Sequence, residues 1–252
     1  MEQITSRQNP LIQRFKRLAA SGRCRREQGL FLCEGPKLWQ EAVKNGWPVE
    51  ALLVSETLPE GWERAERAVL VPPDLLGCAA DTRTPQNPVF TCRLPRPAPA
   101  LPGERLLVLD GVQDPGNVGT IWRTADAFGA DGLVLLPGCA DPWQPKVVRA
   151  TMGACFRLPV LQWAPEELAG QLERAEVPLY AAALDPQAGD VRRTELARAA
   201  VVIGSEGRGV SPRVLELCRG TLFIPMRQRC ESLNAAMAAG IVLWESWRAR
   251  AD

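Results

Sequence analysis

The chain has 252 residues, of which 46% are hydrophobic, and a formal net charge of +1. This is typical of a globular protein with one large domain or two smaller ones, and no apolar run approaches the roughly 20 residues that cross a bilayer. The sequence contains no histidine, which excludes a Ser-His-Asp triad, a Cys-His pair and any histidine base. The eight cysteines form no CxxC pair, so we expect no metal site.

Positive charge is concentrated at the N-terminus, although the net charge is small. Residues 1–30 contain two glutamates and seven basic residues, namely Arg7, Arg14, Lys16, Arg17, Arg23, Arg25 and Arg26. Such a cluster is expected of an arm that binds a polyanion, but a solvated helix face has the same composition. The first residues also lack the apolar core of a secretory signal, so we expect a cytoplasmic protein.

Helices and strands alternate in the first part of the chain. The apolar spacing predicts helices at 9–20 and Pro36–Lys44, and strands at 29–34 and 49–55. A further helix is predicted at 62–68. Residues 1–94 are therefore predicted to form a small α/β domain.

A proline-rich stretch at 95–104 is predicted to be an extended linker, because prolines exclude a helix or a central strand. Residues 105–252 then alternate more regularly. Strands are predicted at 105–109, 132–136, 160–163, 179–184, 200–203 and 221–224. Helices are predicted at 117–128, 146–152, 166–175, 211–217 and 232–247. This alternation indicates an α/β domain with a mostly parallel sheet covered on both faces.

The first of three chemically distinctive segments follows the strand at 105–109. A Gly/Pro turn leads into a predicted helix that carries Asn117 and Arg123. Polar groups at such a helix start face the crevice beyond the strand ends, where open α/β sheets bind ligands. Taken alone, Arg123 has the alternative interpretation of an exposed arginine on an amphipathic helix.

The second segment is the run Gly204-Ser-Glu-Gly-Arg-Gly, in which Glu206 lies between glycines that allow a close backbone approach. The order GxxGxG differs from the GxGxxG of dinucleotide-binding proteins. The third segment, 223–245, places Ser232 and Asn234 at the predicted start of the last helix, where backbone N–H groups lack partners. A structural turn and a simple helix cap are the alternative interpretations of these two segments.

Together, and in this order, the three segments resemble the SpoU/TrmH family of RNA 2′-O-ribose methyltransferases of the SPOUT superfamily. The matching motifs are Asp114-Pro-Gly-Asn-Val-Gly with Arg123-Thr-Ala, Gly204-Ser-Glu-Gly-Arg-Gly, and Ile224-Pro-Met with Glu231-Ser-Leu-Asn. Ser6-Arg-Gln-Asn-Pro and Phe31-Leu-Cys-Glu-Gly-Pro-Lys resemble the RNA-substrate-binding domain of many members, which has a ribosomal-protein-like fold. One departure is Gln228, where the third motif usually has glycine.

The resemblance implies that the C-terminal domain is a SPOUT-type α/β domain with a deep trefoil knot. It also implies S-adenosyl-L-methionine as the cofactor. The residues carried over to the cofactor site are Gly204, Ile224, Leu233 and Ala182. Arg123 would orient the ribose hydroxyl and the adjacent phosphate, and since arginine stays protonated we prefer this role to that of a general base. The residues expected to fix Arg123 and the loops by hydrogen bonds are Asn117, Glu206, Ser232 and Asn234.

Family members are usually homodimers, in which the first-motif arginine of one subunit lies near the site of the other. We expect the substrate to be large-subunit ribosomal RNA, contacted by the N-terminal basic residues, with transfer RNA as the alternative. Two other functions remain open at this point. One is a non-catalytic RNA-binding or ribosome-assembly factor on the same fold. The other is a nucleotide-dependent oxidoreductase, against which the missing GxGxxG counts.

Overall fold

The computed structural model describes residues 2–80, 82, 84–183, 185, 187–227 and 232–249. The chain divides into two compact units. The first unit consists of Met1–Arg96 and Asp141–Arg157, and the second of Pro97–Ala140 and Leu158–Asp252. Among the residues described, none of the helices combines the length and the apolar character needed to cross a bilayer.

The elements alternate along the whole chain. The helices are α1 (Pro10–Ala20), α2 (Gly22–Gln28), α3 (Pro36–Lys44), α4 (Pro73–Ala79), α5 (Pro115–Ala127), α6 (Pro145–Ala150), α7 (Pro165–Arg174), α8 (Pro212–Leu215) and α9 (Ala235–Arg248). The strands are β1 (Glu2–Gln3), β2 (Leu30–Glu34), β3 (Val49–Val54), β4 (Ala65–Leu70), β5 (Val89–Arg93), β6 (Leu106–Asp110), β7 (Gly132–Leu135), β8 (Val160–Gln162), β9 (Leu179–Ala182), β10 (Gly189–Asp190), β11 (Ala200–Gly204) and β12 (Gly220–Phe223). Most helices begin with proline, whose fixed φ suits the first helical position.

The first unit is built on a mixed five-stranded sheet in the order β1-β4-β3-β5-β2. The helix predicted at 62–68 is wrong, because only Trp62–Arg64 form a 3-10 turn and β4 follows at once. β4 pairs in parallel with β3 over its length, so hydrogen bonding within the sheet outweighs the local helical pattern.

Residues 141–157 belong to the first unit, which differs from the predicted uninterrupted domain of residues 105–252. The physical reason is long-range side-chain packing that strand–helix alternation does not reveal. Trp143 and Phe156 pack on Phe31 of β2, with ring centroids 4.6 and 6.3 Å away. These contacts place α6 against the sheet of the first unit.

The second unit contains a seven-stranded sheet in the order β10-β12-β9-β11-β6-β7-β8, and every strand pair described in it is parallel. The central strands β6 and β11 are buried almost throughout, as expected of a sheet covered on both faces. In the sheet, β9 lies between β11 and β12, so the chain passes over β9 on its way from β11 to β12. After β12 the chain returns in the opposite direction, and α9 packs on α5 and β11. This double crossing brings the ends of β9, β11 and β12 beside the start of α9.

Candidate active site

A cavity of about 380 Å³ opens in the second unit where the carboxyl ends of β9, β11 and β12 meet the start of α9. This volume lies within the range of about 300–1,000 Å³ that is usual for small-molecule sites. The residues that the sequence predicts for cofactor binding all line it, namely Ala182, Gly204, Ile224 and Leu233. The structure therefore gathers three separate stretches of the chain around one cavity.

The wall formed by the loop after β11 depends on Gly204. Ser205 and Gly209 exchange two backbone hydrogen bonds of 3.1 and 2.9 Å, which fold the loop back on itself. A Cβ at position 204 would lie only 2.0 Å from the carbonyl carbon of Gly209. Glycine is therefore required at this position so that the two backbone segments can approach each other.

Asp110 fastens the far end of this loop, a role that the sequence did not predict. Asp110 is the last residue of β6 and is only 9% exposed, and its Oδ2 accepts a hydrogen bond of 2.7 Å from the backbone N–H of Ser211. A charged acceptor makes this bond stronger than one between neutral groups. The available signal was a carboxylate at the end of an otherwise apolar strand.

One chain of hydrogen bonds joins side chains from all three motif segments. Asn234 donates from Nδ2 to Oδ1 of Asn117 at 3.2 Å, and Asn117 donates from its own Nδ2 to Oε1 of Glu206. Glu206 lines the cavity. The structure thus brings together three of the five residues predicted for catalysis, and the chain of bonds fixes which way the Asn117 amide points.

The two helices that carry these asparagines do not begin where the sequence predicted. α5 begins two residues earlier, with Asp114 as N-cap accepting the Asn117 N–H at 2.8 Å. α9 begins three residues later, with Asn234 as N-cap accepting the Ala236 N–H at 2.9 Å. The prediction that Ser232 begins the last helix is therefore wrong, and this residue instead lines the cavity ahead of the helix.

Arg123 stands apart from this hydrogen-bond chain. It lies six residues beyond Asn117 on α5, its side chain is exposed, and it pairs with no residue in the described part of the chain. Four residues were expected to fix Arg123 by hydrogen bonds, namely Asn117, Glu206, Ser232 and Asn234. None of them bonds to Arg123 within one chain, and Glu206 and Asn234 bond to Asn117 instead. None of the described residues therefore occupies the Arg123 guanidinium.

The Cys139 thiol, which contacts the strand that precedes the first motif, does not offer a nucleophile. Cys139 follows β7 and donates to the carbonyl of Leu109 at 3.2 Å. Burial raises the pKa of this thiol to about 11, so it stays protonated at neutral pH. Two residues of the third motif, Gln228 and Glu231, lie outside the described residues.

One member of the predicted basic arm is buried and cannot contact a polyanion. Arg25 is only 4% exposed, and it donates to Oδ2 of Asp141 at 2.7 Å and to the carbonyl of Leu18 at 2.6 Å. These bonds hold the start of the 141–157 segment against α1 and α2. Its predicted role in binding RNA is therefore corrected to a structural one.

The other six residues of the arm remain exposed or half-buried. Arg7, Arg14 and Arg23 each pair with a carboxylate, at 3.0, 2.6 and 2.6 Å. Lys16, Arg17 and Arg26 are exposed and form no ion pair with a described residue. The first unit as a whole contains 17 basic and 12 acidic residues, a net charge of +5, whereas the second contains 13 and 17, a net charge of −4.

Comparison with known proteins identifies the family. The model of the SpoU rRNA methylase family matches residues 104–244, and that of the MRM3-like substrate-binding domain matches residues 9–89. The chain is 33% identical to the 23S rRNA (guanosine(2553)-2′-O)-methyltransferase RlmP of Bacillus subtilis, over 97% of this chain and 98% of that protein. It is 31% identical to the 23S rRNA (uridine(2479)-2′-O)-methyltransferase of Streptomyces viridochromogenes, over 98% and 92% of the two chains.

Solved structures agree with this assignment. The SpoU methyltransferase AviRb from Streptomyces viridochromogenes, in complex with AdoMet, superposes with a TM-score of 0.87 at 30% identity and covers 97% of this chain and 99% of that one. An AdoMet-bound rRNA methyltransferase from Sinorhizobium meliloti also gives 0.87 at 30% identity, over 98% and 97%. The predicted SPOUT-type α/β fold with an N-terminal domain is confirmed. This chain belongs to the SpoU methyltransferase family and carries an MRM3-like substrate-binding domain at its N-terminus.

Proposed function

We propose that this protein transfers a methyl group from S-adenosyl-L-methionine to a ribose 2′-hydroxyl of large-subunit ribosomal RNA. The observation that carries the proposal is the hydrogen-bond chain Asn234–Asn117–Glu206, which joins the first motif segment to the two motif segments that line the cavity. Relatives named as 23S rRNA 2′-O-methyltransferases align over nearly the full length of the chain and support the substrate class. The net positive charge of the first unit suits a polyanion.

The cavity fits the cofactor in size and in chemistry. Its lining includes Ile203, Leu222 and Leu233, which offer an apolar surface to an adenine ring, and Glu206 and Ser232 supply polar groups. Small side chains such as Ala182 leave the space open. When bound, S-adenosyl-L-methionine supplies a methyl group that is already activated for transfer.

Arg123 acts by orienting the substrate. Its guanidinium stays protonated and offers several donors in one plane, so it can hold a phosphate and the neighbouring ribose in one position. Alignment of a nucleophile with its target supplies on the order of 7–11 kcal/mol in favourable cases. Asn117 and Glu206 hold the loops after β6 and β11 in place through their hydrogen bond.

The protein acts as a homodimer, in which Arg123 of one subunit works at the cavity of the other. Phe128, at the end of α5, contacts Trp244 and Trp247 of α9 with ring centroids 5.8 and 6.5 Å away, and the two tryptophans stack on each other at 5.3 Å. These tryptophans are nevertheless 45% and 43% exposed, and Met237 on the same helix is 62% exposed. An exposed apolar surface of this kind marks an interface, and it lies on α5, which carries Arg123, and on α9, which Asn234 caps.

Replacing both tryptophans by arginine is expected to produce a monomer without methyltransferase activity, since the aromatic surface would no longer pair and Arg123 would have no partner site. Light scattering during gel filtration measures the mass, and methyl transfer is assayed on the same fractions. Mixed dimers of Arg123→Ala and Gly204→Ala subunits should recover activity, because each mixed dimer contains one intact composite site. A monomeric wild type that turns over normally would contradict the dimer.

Replacements of Asn234 separate helix capping from the hydrogen-bond chain. Asn234→Asp keeps the oxygen that caps α9 but loses the Nδ2 donor to Asn117, whereas Asn234→Ala loses both. We expect the alanine variant to lose about 1 kcal/mol of stability, a Tm decrease of about 2–4 °C. The aspartate variant should keep its Tm. The rate of methyl transfer should fall about tenfold or more in both variants, because the lost bond orients Asn117, which itself donates to the charged Glu206. Normal methyl transfer by the aspartate variant would show that Asn234 acts only as a helix cap.

Mapping of 2′-O-methyl positions in a strain that lacks the gene tests the function itself. One position in 23S rRNA should lose its methyl group and regain it with the wild-type gene but not with Arg123→Ala. If a transfer RNA position loses its methyl group instead, the substrate is transfer RNA and not 23S rRNA. If no position changes in either RNA, the enzymatic proposal fails and the assembly-factor alternative gains support.

A further inference from the structure

Met152 exposes an apolar side chain on a backbone conformation that side chains disfavour. Its side chain is 43% exposed, and its φ is +51°. This is the left-handed region, where residues other than glycine are uncommon. Strained residues of this kind persist where the surrounding structure holds them, and they cluster at functional sites.

The residues on either side of Met152 prevent the loop from relaxing. Thr151 is fully buried, and its hydroxyl donates to the carbonyl of Val148 at 2.7 Å and accepts the N–H of Gly153 at 3.3 Å. Gly153 has a φ of +97°, and a Cβ there would lie 2.4 Å from Cγ of Glu41 on α3. The methionine is therefore held outwards by a loop that is seated tightly on the first unit.

Cations lie around Glu41, the residue against which the loop of Met152 packs. Lys37 contacts the Glu41 carboxylate at 2.7 Å, and Arg157 contacts the same group. The hydrogen bond from Lys37, with the nearby charges of Arg157 and Lys44, lowers the pKa of Glu41. Two cations thus contact one carboxylate and a third acts on it through its charge, while Lys146 is an exposed cation six residues before Met152 in the sequence. An apolar tip amid positive charge fits single-stranded RNA, which presents phosphates and unstacked bases together.

We infer that Met152 is an RNA contact, packing its side chain on an unpaired base while the cations around Glu41 hold the adjoining phosphates. The inference rests on the proposed RNA substrate. Unbranched, polarizable methionine adapts to flat apolar surfaces, and apolar side chains are known to insert between bases. A second copy of the chain is a poorer occupant, because a two-fold contact through this loop would bring the same cations together.

Three variants test the contact. Met152→Gly removes the side chain and suits the positive φ, and Met152→Leu keeps an apolar side chain. Glu176→Gly is the matched control, because Glu176 is an exposed residue with a φ of +54° in the second unit. Neither glycine variant should melt below the wild type, since each relieves backbone strain. A loss of RNA binding by Met152→Gly then cannot be attributed to unfolding.

The probe is full-length 23S rRNA transcribed in vitro, with affinity measured by filter binding at fixed salt. We expect about fivefold or greater weakening for Met152→Gly, the lower end of what one stacked base contributes. The leucine variant and Glu176→Gly should bind within about twofold of the wild type, and all should bind S-adenosyl-L-methionine equally in calorimetry. Chemical probing of the RNA should show at least one base whose reactivity changes with the wild type but not with Met152→Gly.

Each outcome separates this contact from the function on which it rests. Unchanged RNA affinity of Met152→Gly, together with normal methylation, overturns the Met152 contact alone. A change in self-association instead of RNA affinity assigns the loop to a second copy and also overturns it. If the wild type binds the RNA but methylates none of it, the proposed reaction is refuted. The RNA affinity of Met152→Gly then still decides whether Met152 contacts the RNA. A wild type that does not bind the RNA overturns both.

Discussion

An alanine at position 204 is expected to weaken binding of S-adenosyl-L-methionine about 100-fold. Its Cβ would lie 2.0 and 2.3 Å from the carbonyl carbon and oxygen of Gly209 and 2.2 Å from the backbone nitrogen of Val210. These are backbone atoms, which cannot rotate away as a side chain can, so the loop that walls the cavity must shift. Overpacking of this kind costs about 1–3 kcal/mol, and isothermal calorimetry should show about a 100-fold weaker Kd if most of it falls on the bound state.

Gly207→Ala is the matched control in the same loop. No atom lies within 4 Å of the position that its Cβ would take, and its φ is not in the left-handed region. This variant should bind the cofactor as the wild type does. Equal cofactor binding by the alanine variants at 204 and 207 would show that the loop after β11 does not form the cofactor site.

Arg123→Ala should lower kcat for methyl transfer by about 100- to 1,000-fold, the range seen when a charge-stabilising donor is removed from an active site. Tm and cofactor affinity should not change, because the side chain is exposed and pairs with no described residue of its own chain. Arg123→Lys should recover little, since a lysine cannot offer two parallel donors. The comparison requires steady-state kinetics with saturating cofactor and RNA.

Arg174→Ala provides the control for loss of an exposed helical arginine, here on α7. It should turn over normally. Near-normal turnover by Arg123→Ala would contradict the orienting role and would transfer the chemistry to other residues around the cavity. Loss of turnover together with a lower Tm would mean that Arg123 supports the fold.

The proximity of the three motif segments could be predicted because polar residues followed predicted parallel strands, and the carboxyl ends of such strands share one edge of the sheet. The residue at which the last helix begins could not be predicted. Ser232 and Asn234 are both good capping residues, and the choice depends on the bond between Asn234 and Asn117, which lies 117 residues away in sequence.

Burial and long-range packing account for the other differences. Composition places Arg25 among exposed basic residues, whereas the ion pair with Asp141 takes it into the interior. The packing of Trp143 on Phe31 assigns residues 141–157 to the first unit, and local periodicity carries no record of it. The positive φ of Met152 likewise follows from contacts of its neighbours and not from a glycine or asparagine in the sequence.

The chemical form of the methylated product distinguishes methylation of the ribose from methylation of a base. Purified protein is incubated with 23S rRNA and S-adenosyl-L-methionine labelled in its methyl group, and the RNA is then hydrolysed in alkali. Alkaline cleavage requires a free 2′-hydroxyl beside the phosphodiester, so a 2′-O-methyl group protects that linkage. We predict that the label remains in an alkali-resistant dinucleotide. Label released in mononucleotides would place the methyl group on a base and contradict the assignment.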